Sequence, residues 1–260
     1  MLLCIDIGNT NTVLAVTEQN KICQQWRIRS EKNLTIDELR GILSGLFQME
    51  GISAEAIKII IISSVVPALT RIFKGLALNY FHITPLIVSH KLDIGMPVQY
   101  DNLREIGADR LVNAVGAYKK YLKPLVVIDF GTATTFDYIS GEGEYQGGAI
   151  APGMMIALDA LFQNTSKLPR IEDLALPEKI IAKNTIDSIN SGVIYGYAGL
   201  VDGIVKRIKQ EAGGNPLVIA TGGLAPLICD VCQTIDQIDK DLTIEGLMII
   251  AGSSLAKASK

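Results

Sequence analysis

The sequence predicts an α/β protein of two duplicated lobes, each a mixed β-sheet flanked by helices, with a cleft between the lobes. Three observations carry this. An apolar run, Leu2–Ile5, ends in the carboxylate of Asp6, passes through the turn Ile7-Gly8-Asn9-Thr10-Asn11-Thr12 and resumes as Val13–Val16. The same plan returns 123 positions later (129 − 6): Leu125–Ile128, then Asp129, then Phe130-Gly131-Thr132-Ala133-Thr134-Thr135. Segments between and after these hairpins carry apolar residues at helical spacing. The lobes are expected at 1–121 and 122–260, a division that 260 residues accommodate comfortably.

In the first lobe, Val13–Thr17 and Ile22–Arg29 read as antiparallel neighbours of the opening strand, joined by the polar turn Glu18-Gln19-Asn20-Lys21. Asp37–Met49 repeats apolar residues at 39, 42, 43, 46 and 47, a helical stripe. Thr35 with Glu38 three residues on predicts a capping box at its start. The β-branched run Ile57–Ile62 suits a strand covered on both faces, ended by Ser63-Ser64. Pro67 opens a helix to about Tyr80, and Thr84–Ser89 reads as a further strand. A loop from Asp93 to Ile106 leads through Gly107-Ala108-Asp109-Arg110 into a helix ending near Tyr121, whose apolar face is Leu111, Val112, Val115 and Tyr118.

The second lobe repeats the plan. Strands Leu125–Asp129 and Phe136–Ser140 are followed by a glycine-rich turn into Tyr145–Ile150, and Pro152-Gly153 precedes a helix through about Phe162. Asn164–Asn184 has little periodicity, and a long helix follows over Ile186–Glu211. Gly192, Gly196, Gly199 and Gly203 fall on one face of that helix. Glycine in a helix costs about 1 kcal/mol relative to alanine, so the stripe implies close backbone approach, either at a subunit interface or on the lobe's own sheet. Leu217–Ala220 is a strand ending in Thr221-Gly222-Gly223, and Leu242–Ala258 is a closing helix of small and apolar residues.

Composition excludes several function classes. The formal charge is −3 and no basic cluster exceeds Lys119-Lys120, so no electrostatic footprint for nucleic acid or anionic membrane is present. No apolar run approaches the ~20 residues of a membrane span, and Asp6 interrupts the only apolar stretch near the start. Four cysteines do not form a disulfide framework, and a reducing cytoplasm suits them. Cys229-Asp230-Val231-Cys232 has metal or redox spacing but lacks a second Cys or His pair, and reads as ordinary thiols.

The chemistry gathers at the two acid-ended hairpins. A lone Asp-x-Gly turn is common. Two of them in duplicated lobes, each following a buried strand and crowded with hydroxyl and amide groups, can grip a polyphosphate, because backbone amides in such turns form anion-binding nests. No Gly-x-x-x-x-Gly-Lys-Ser/Thr loop and no Gly-x-Gly-x-x-Gly follows a first strand, which excludes P-loop and dinucleotide sites. Ala220-Thr221-Gly222-Gly223 either admits the face of a base or is a plain strand-to-helix turn. Asp109 is a candidate general base at a helix start, where Arg110 and N-terminal amides are expected to keep it ionised.

Taken in order, these motifs resemble the actin-like ATPase and sugar-kinase superfamily, with its ribonuclease-H-like fold. More narrowly, Asp6-Ile7-Gly8-Asn9-Thr10-Asn11, Gly107-Ala108-Asp109-Arg110, Asp129–Thr135, Gly147–Gly153, Leu168-Pro169 and Asn184-Thr185 before Ser191-Gly192 resemble type III pantothenate kinase over nearly the whole chain. The resemblance implies phosphorylation of the pantothenate hydroxyl by ATP, the first committed step toward coenzyme A. It implies Asp109 as base and an ATP site of Asp6, Ile7, Gly8, Asn9, Thr10, Asn11, Thr12, Val13 and Thr132. It implies a pantothenate site of Tyr100, Gly107, Ala108, Asp109, Arg110 and Thr185, the last reaching a neighbouring subunit's pocket in a homodimer. Asp6 would orient Mg2+ through water, and Asp129 would hold a monovalent cation, K+ or NH4+. Two other readings stand beside it: a transcriptional accessory protein of the same fold, and another small-molecule kinase or polyphosphate hydrolase of the superfamily.

Overall fold

The computed structural model describes residues 1–171 and 173–258. Its chain divides into two compact units, Met1–Lys120 with Asp241–Lys260, and Tyr121–Lys240.

The first unit begins with β1 (Leu2–Ile7), β2 (Asn11–Glu18) and β3 (Lys21–Arg29), followed by helix α1 (Ile36–Met49). The capping box at the start of α1 is present, with Thr35 and Glu38 each satisfying the other's backbone N–H. β4 (Ile59–Ser64), α2 (Pro67–Asn79), the two-residue β5 (Leu86–Ile87) and α3 (Ala108–Tyr121) come next. The sheet order is β3-β2-β1-β4-β5, with β1 antiparallel to β2 and parallel to β4.

Ser63 and Ser64 do not end β4 as expected: both stay in the ladder, and Ser63 pairs in register with Asp6. The strand expected at Thr84–Ser89 contracts to two residues at the sheet edge. Strand alternation then decides which groups meet. Leu3, Ile5 and Ile7 of β1 pack into the core with Leu39 and Leu43 of α1 and Phe73 of α2. Cys4 and Asp6 therefore face the other side of the sheet.

The second unit consists of β6 (Leu125–Phe130), β7 (Ala133–Ile139), β8 (Tyr145–Pro152), α4 (Met154–Gln163), α5 (Thr185–Ala212), β9 (Leu217–Thr221), the short α6 (Ala225–Ile228) and β10 (Gln237–Ile238). Its order, β10-β9-β6-β7-β8, is that of the first sheet read from the other edge. β6 is antiparallel to β7 and parallel to β9, as β1 is to β2 and β4. Val126, Ile128 and Phe130 enter a core with Tyr197 and Val201 of α5, which turns Asp129 to the opposite face. Asn184 caps α5, its side-chain oxygen accepting from Asp187 N–H at 2.9 Å, and Gly213 ends the helix in the left-handed conformation.

The chain then returns. Helix α7 (Leu242–Ala258), expected in the second lobe, belongs to the first unit and packs on β1 and β4. Small residues permit this. A Cβ on Gly246 would stand 2.2 Å from the Val112 carbonyl oxygen, and one on Gly116 would stand 2.8 Å from that of Leu242, so α7 and α3 cross almost backbone to backbone. Thr243 Oγ1 donates to Asn113 Oδ1 at 2.7 Å, Lys120 pairs with Glu245, and Lys257 pairs with Asp93. Covered in this way, α3 is not the one-faced helix its periodicity predicts: every residue from Leu111 to Ala117 is buried, Asn113 included.

Candidate functional site

The first acid-ended hairpin is closed by Gly8 N–H donating to the Asn11 carbonyl at 3.0 Å, where a Cβ on Gly8 would also meet that oxygen at 3.0 Å. Ile7 and Thr12 are buried beneath the turn, Gly8 and Val13 are half-buried, and Asn9, Thr10 and Asn11 form its exposed rim. Any nucleotide contact by Ile7 is therefore a backbone contact.

Ser30, just past β3, ties the turn down. Its hydroxyl donates to the Gly8 carbonyl at 2.7 Å and lies 2.9 Å from the Thr12 hydroxyl, and its N–H donates to the Thr10 carbonyl at 3.0 Å. Sequence reasoning missed Ser30. The β2–β3 register was the available signal, because pairing Asn11 with Arg29 carries Ser30 to the turn.

Asp6 sits at the end of β1, half-buried, with its carboxyl pushed up to about 7, first by burial and then by the nearby Asp109 carboxylate. The Ser63 hydroxyl pulls the other way, yet it is fully buried and completes no hydrogen bond. Asp109, at the first turn of α3, accepts the Arg110 N–H at 2.8 Å on Oδ1. Burial raises its carboxyl above the usual range, outweighing the opposing Arg110 N–H and guanidinium. The Arg110 charge and the helix amides act in the expected direction, and desolvation is the larger effect on Asp109.

Gly107 makes the geometry possible, since a Cβ there would lie 2.4 Å from Asp109 Oδ1. Arg110 and Ala108 are buried, and Tyr100 is half-buried in the preceding loop. The first unit thus gathers Asp6, Gly107, Ala108, Asp109 and Arg110 near the glycine turn. Two facing carboxylates with an unsatisfied hydroxyl beside them form a donor set that suits a hydrated divalent cation.

In the second unit, Gly131 N–H donates to the Ala133 carbonyl and Gly153 N–H to the Thr132 carbonyl, each at 3.1 Å. A Cβ on Gly153 would come within 2.2 Å of that Thr132 oxygen, so the Pro152-Gly153 bend packs directly on the second loop. Asp129 pairs in register with Thr221, as Asp6 does with Ser63. Gly222, at φ +94, is pressed against Asp129: a Cβ would lie 2.6 Å from Oδ1 and 2.7 Å from the Phe130 backbone. The strand-to-helix turn at Thr221-Gly222-Gly223 thus requires glycine for contact with Asp129. Thr185 is exposed at the first turn of α5. Burial raises the Cys229 and Cys232 thiols to about 11 and about 12, against thiolate chemistry.

The glycine face of α5 is also decided within its own unit. A Cβ on Gly192, Gly196 or Gly199 meets nothing within 4 Å, and all three are exposed. The stripe does not serve packing on the unit's own sheet.

A family profile described as type III pantothenate kinase matches residues 2–207. The chain is 51% identical over 250 residues to the type III pantothenate kinase of Geobacter sulfurreducens, covering 96% of this chain and 98% of that one. Among solved structures, component A of the (R)-2-hydroxyglutaryl-CoA dehydratase of Acidaminococcus fermentans superposes with a TM-score of 0.58 at 15% identity, covering 100% of this chain and 99% of that one. A ROK family glucokinase of Streptomyces griseus, in complex with glucose and AMPPNP, superposes at 0.56 with 12% identity, covering 98% and 99%. These two likenesses establish the two-lobed sugar-kinase type of fold.

Proposed function

The chain belongs to the type III pantothenate kinase family, and on that premise we propose how its residues divide the work of the reaction. The enzyme transfers a phosphoryl group from ATP to the hydroxyl of pantothenate, the first step of coenzyme A biosynthesis. Asp109 is the general base. Its raised proton affinity suits it to accept the hydroxyl proton as the oxygen attacks phosphorus, an effect typically worth ~10²–10⁴ in rate. Gly107 leaves room for its carboxylate, and the Arg110 N–H fixes one oxygen so that the other can face substrate.

Arg110 holds the pantothenate carboxylate with its planar fork, Tyr100 lines the same pocket, and Thr185 closes it from a second subunit. The turn Gly8–Thr12 presents backbone amides to the ATP phosphates, with Ile7 and Val13 flanking it and Thr132 contacting phosphate from the second loop. Asp6 would hold Mg2+ through water, with the Ser63 hydroxyl oxygen as a further acceptor for that water's protons. When bound, the metal supplies neutralisation of phosphate charge, and positioning carries the remainder of the rate. Asp129 is the site for a monovalent cation, K+ or NH4+, walled by Gly222. The protein acts as a cytoplasmic homodimer, joined through the exposed glycine face of α5.

The observation that carries this division is the convergence of Asp6 and Asp109 beside a glycine turn: the Asp109 carboxylate is close enough to raise the proton affinity of Asp6. The test is an assay of ATP with pantothenate, with and without K+, on the native protein and on Asp109→Asn. The variant is expected to bind ATP and lose turnover. Full turnover would remove Asp109 as base.

A further inference from the structure

We infer that Ser30 is a positioning residue for phosphoryl transfer, which sets the orientation of the phosphate-binding amides without touching ATP; this rests on the assignment of Gly8–Thr12 to the ATP phosphates. Ser30 lies 22 residues from Gly8, beyond the end of β3, and contacts the turn at three points. Its hydroxyl has one proton, and that proton goes to the Gly8 carbonyl at 2.7 Å. In the 2.9 Å contact with Thr12, the Thr12 hydroxyl must therefore be the donor. Thr12, 1% exposed, thus spends its side-chain proton on Ser30, and its hydroxyl belongs to the support of the turn. The third contact is the Ser30 N–H on the Thr10 carbonyl at 3.0 Å.

The consequence follows from peptide planarity. In a trans peptide the C=O and the next N–H point in opposite directions. Tying the Gly8 carbonyl to Ser30 turns the Asn9 N–H away from Ser30, and tying the Thr10 carbonyl does the same for the Asn11 N–H. Both amides are thereby aimed at the rim formed by Asn9, Thr10 and Asn11, where an anion is bound by converging N–H groups.

Of the two peptides, the one after Gly8 most needs a tether. Gly8 has no Cβ, so its backbone is the least restricted in the turn and its peptide plane can rotate at little steric cost. The Thr10 carbonyl is held by a backbone group that any residue at position 30 would supply. The Gly8 carbonyl is held by the Ser30 hydroxyl, which a residue without a hydroxyl at position 30 would not supply. The side chain therefore governs one particular amide, that of Asn9.

Ser30→Ala removes the tether and leaves the backbone bond to Thr10 in place, and Ser30→Thr restores a hydroxyl. For Ser30→Ala, KM for ATP is expected to rise about five-fold, the value of one hydrogen bond of ordinary strength, with KM for pantothenate unchanged and the melting temperature within a few degrees. Ser30→Thr should recover most of the ATP KM. The inference is overturned if Ser30→Ala leaves KM for ATP and kcat unchanged. It is equally overturned if both KM values and the melting temperature move together without rescue by threonine, since that marks a purely structural role. Asp6→Asn assayed alongside separates the two assignments: if it too leaves the kinetics of ATP unchanged, the turn is not the phosphate loop, and the failure lies there.

Discussion

Replacing Asp6 by Asn should stabilise the metal-free enzyme while disabling it. The Asp6 carboxyl rises from an ordinary 3.8 to about 7, chiefly through burial and then through repulsion from Asp109. The sign follows from proton binding. Below about pH 4 the carboxyl is protonated in both folded and unfolded chains and contributes nothing. Between 3.8 and about 7 the folded state binds more protons, so stability falls as pH rises. Above about 7 the folded protein bears the full cost of the buried charge. Roughly three pH units at ~1.4 kcal/mol each give about 4 kcal/mol as an upper bound. Partial access to solvent brings this to about 2 kcal/mol. For a chain of this size that is a rise of about 5 °C in melting temperature on substitution. The assay is thermal unfolding in chelator at pH 7.5 and at pH 5, with native and Asp6→Asn protein. The variant should melt higher at pH 7.5 and show a weaker loss of stability with pH; the raised carboxyl of Asp109 contributes in the same sense and remains in both. An equal or lower melting temperature for Asp6→Asn at pH 7.5 would refute the reasoning.

Further outcomes follow from close contacts. Gly107→Ala puts a Cβ 2.4 Å from Asp109 Oδ1, so kcat should fall about 100-fold by displacement of the carboxylate, with ATP binding retained in calorimetry. Gly222→Ala combines φ +94 with contacts of 2.6–2.7 Å to Asp129 and Phe130; a cost of about 2 kcal/mol in urea unfolding and a raised K+ requirement in the kinase assay are expected. Asn184→Ala removes the cap of α5 at a cost of about 1 kcal/mol, and should raise KM for pantothenate because Thr185 is the next residue. Gly196→Leu places a side chain on a face with nothing within 4 Å, so the folded subunit should persist while sedimentation at micromolar concentration shifts to monomer; an unchanged dimer would remove α5 as the interface.

Much of the fold was legible because it rests on local pattern. Apolar runs bounded by polar turns placed β1, β2 and β3, and the Thr35–Glu38 capping box started α1 as its chemistry requires. The strand-acid-turn plan at Asp6 and Asp129 disclosed the duplication, and the sheets share one order of strands. What escaped depends on partners distant in sequence. The ends of β4 were misread because Ser63 and Ser64 are weak strand formers held in place by the parallel ladder to β1. α7 was placed with its neighbours in sequence, whereas the lock of Gly246 onto Val112 carries it back to the first unit. Ser30 escaped because a serine after a strand is ordinary until the register brings it beneath the turn at Gly8.

The duplication also bears on the different roles proposed for two like acids. Asp6 and Asp129 occupy the same place in matching sheets, each at a strand end with a hydroxyl residue beside it in the parallel ladder, Ser63 for one and Thr221 for the other. What distinguishes them is the element that follows each parallel neighbour. After β4 the chain runs through α2, β5 and a long loop before α3 brings Asp109 to Asp6, and the two carboxylates raise the local demand for positive charge. After β9 the chain turns at once through Gly222, whose bare backbone closes on Asp129 and leaves no room for a side chain at that position. A carboxylate closely walled by backbone suits a single positive charge, whereas a pair of carboxylates beside a hydroxyl suits a doubly charged, hydrated ion. The proposed division of labour between a monovalent and a divalent cation then arises from the loop after the parallel strand, and exchanging the acids themselves, Asp6→Glu or Asp129→Glu, should impair each proposed site without interchanging their cations.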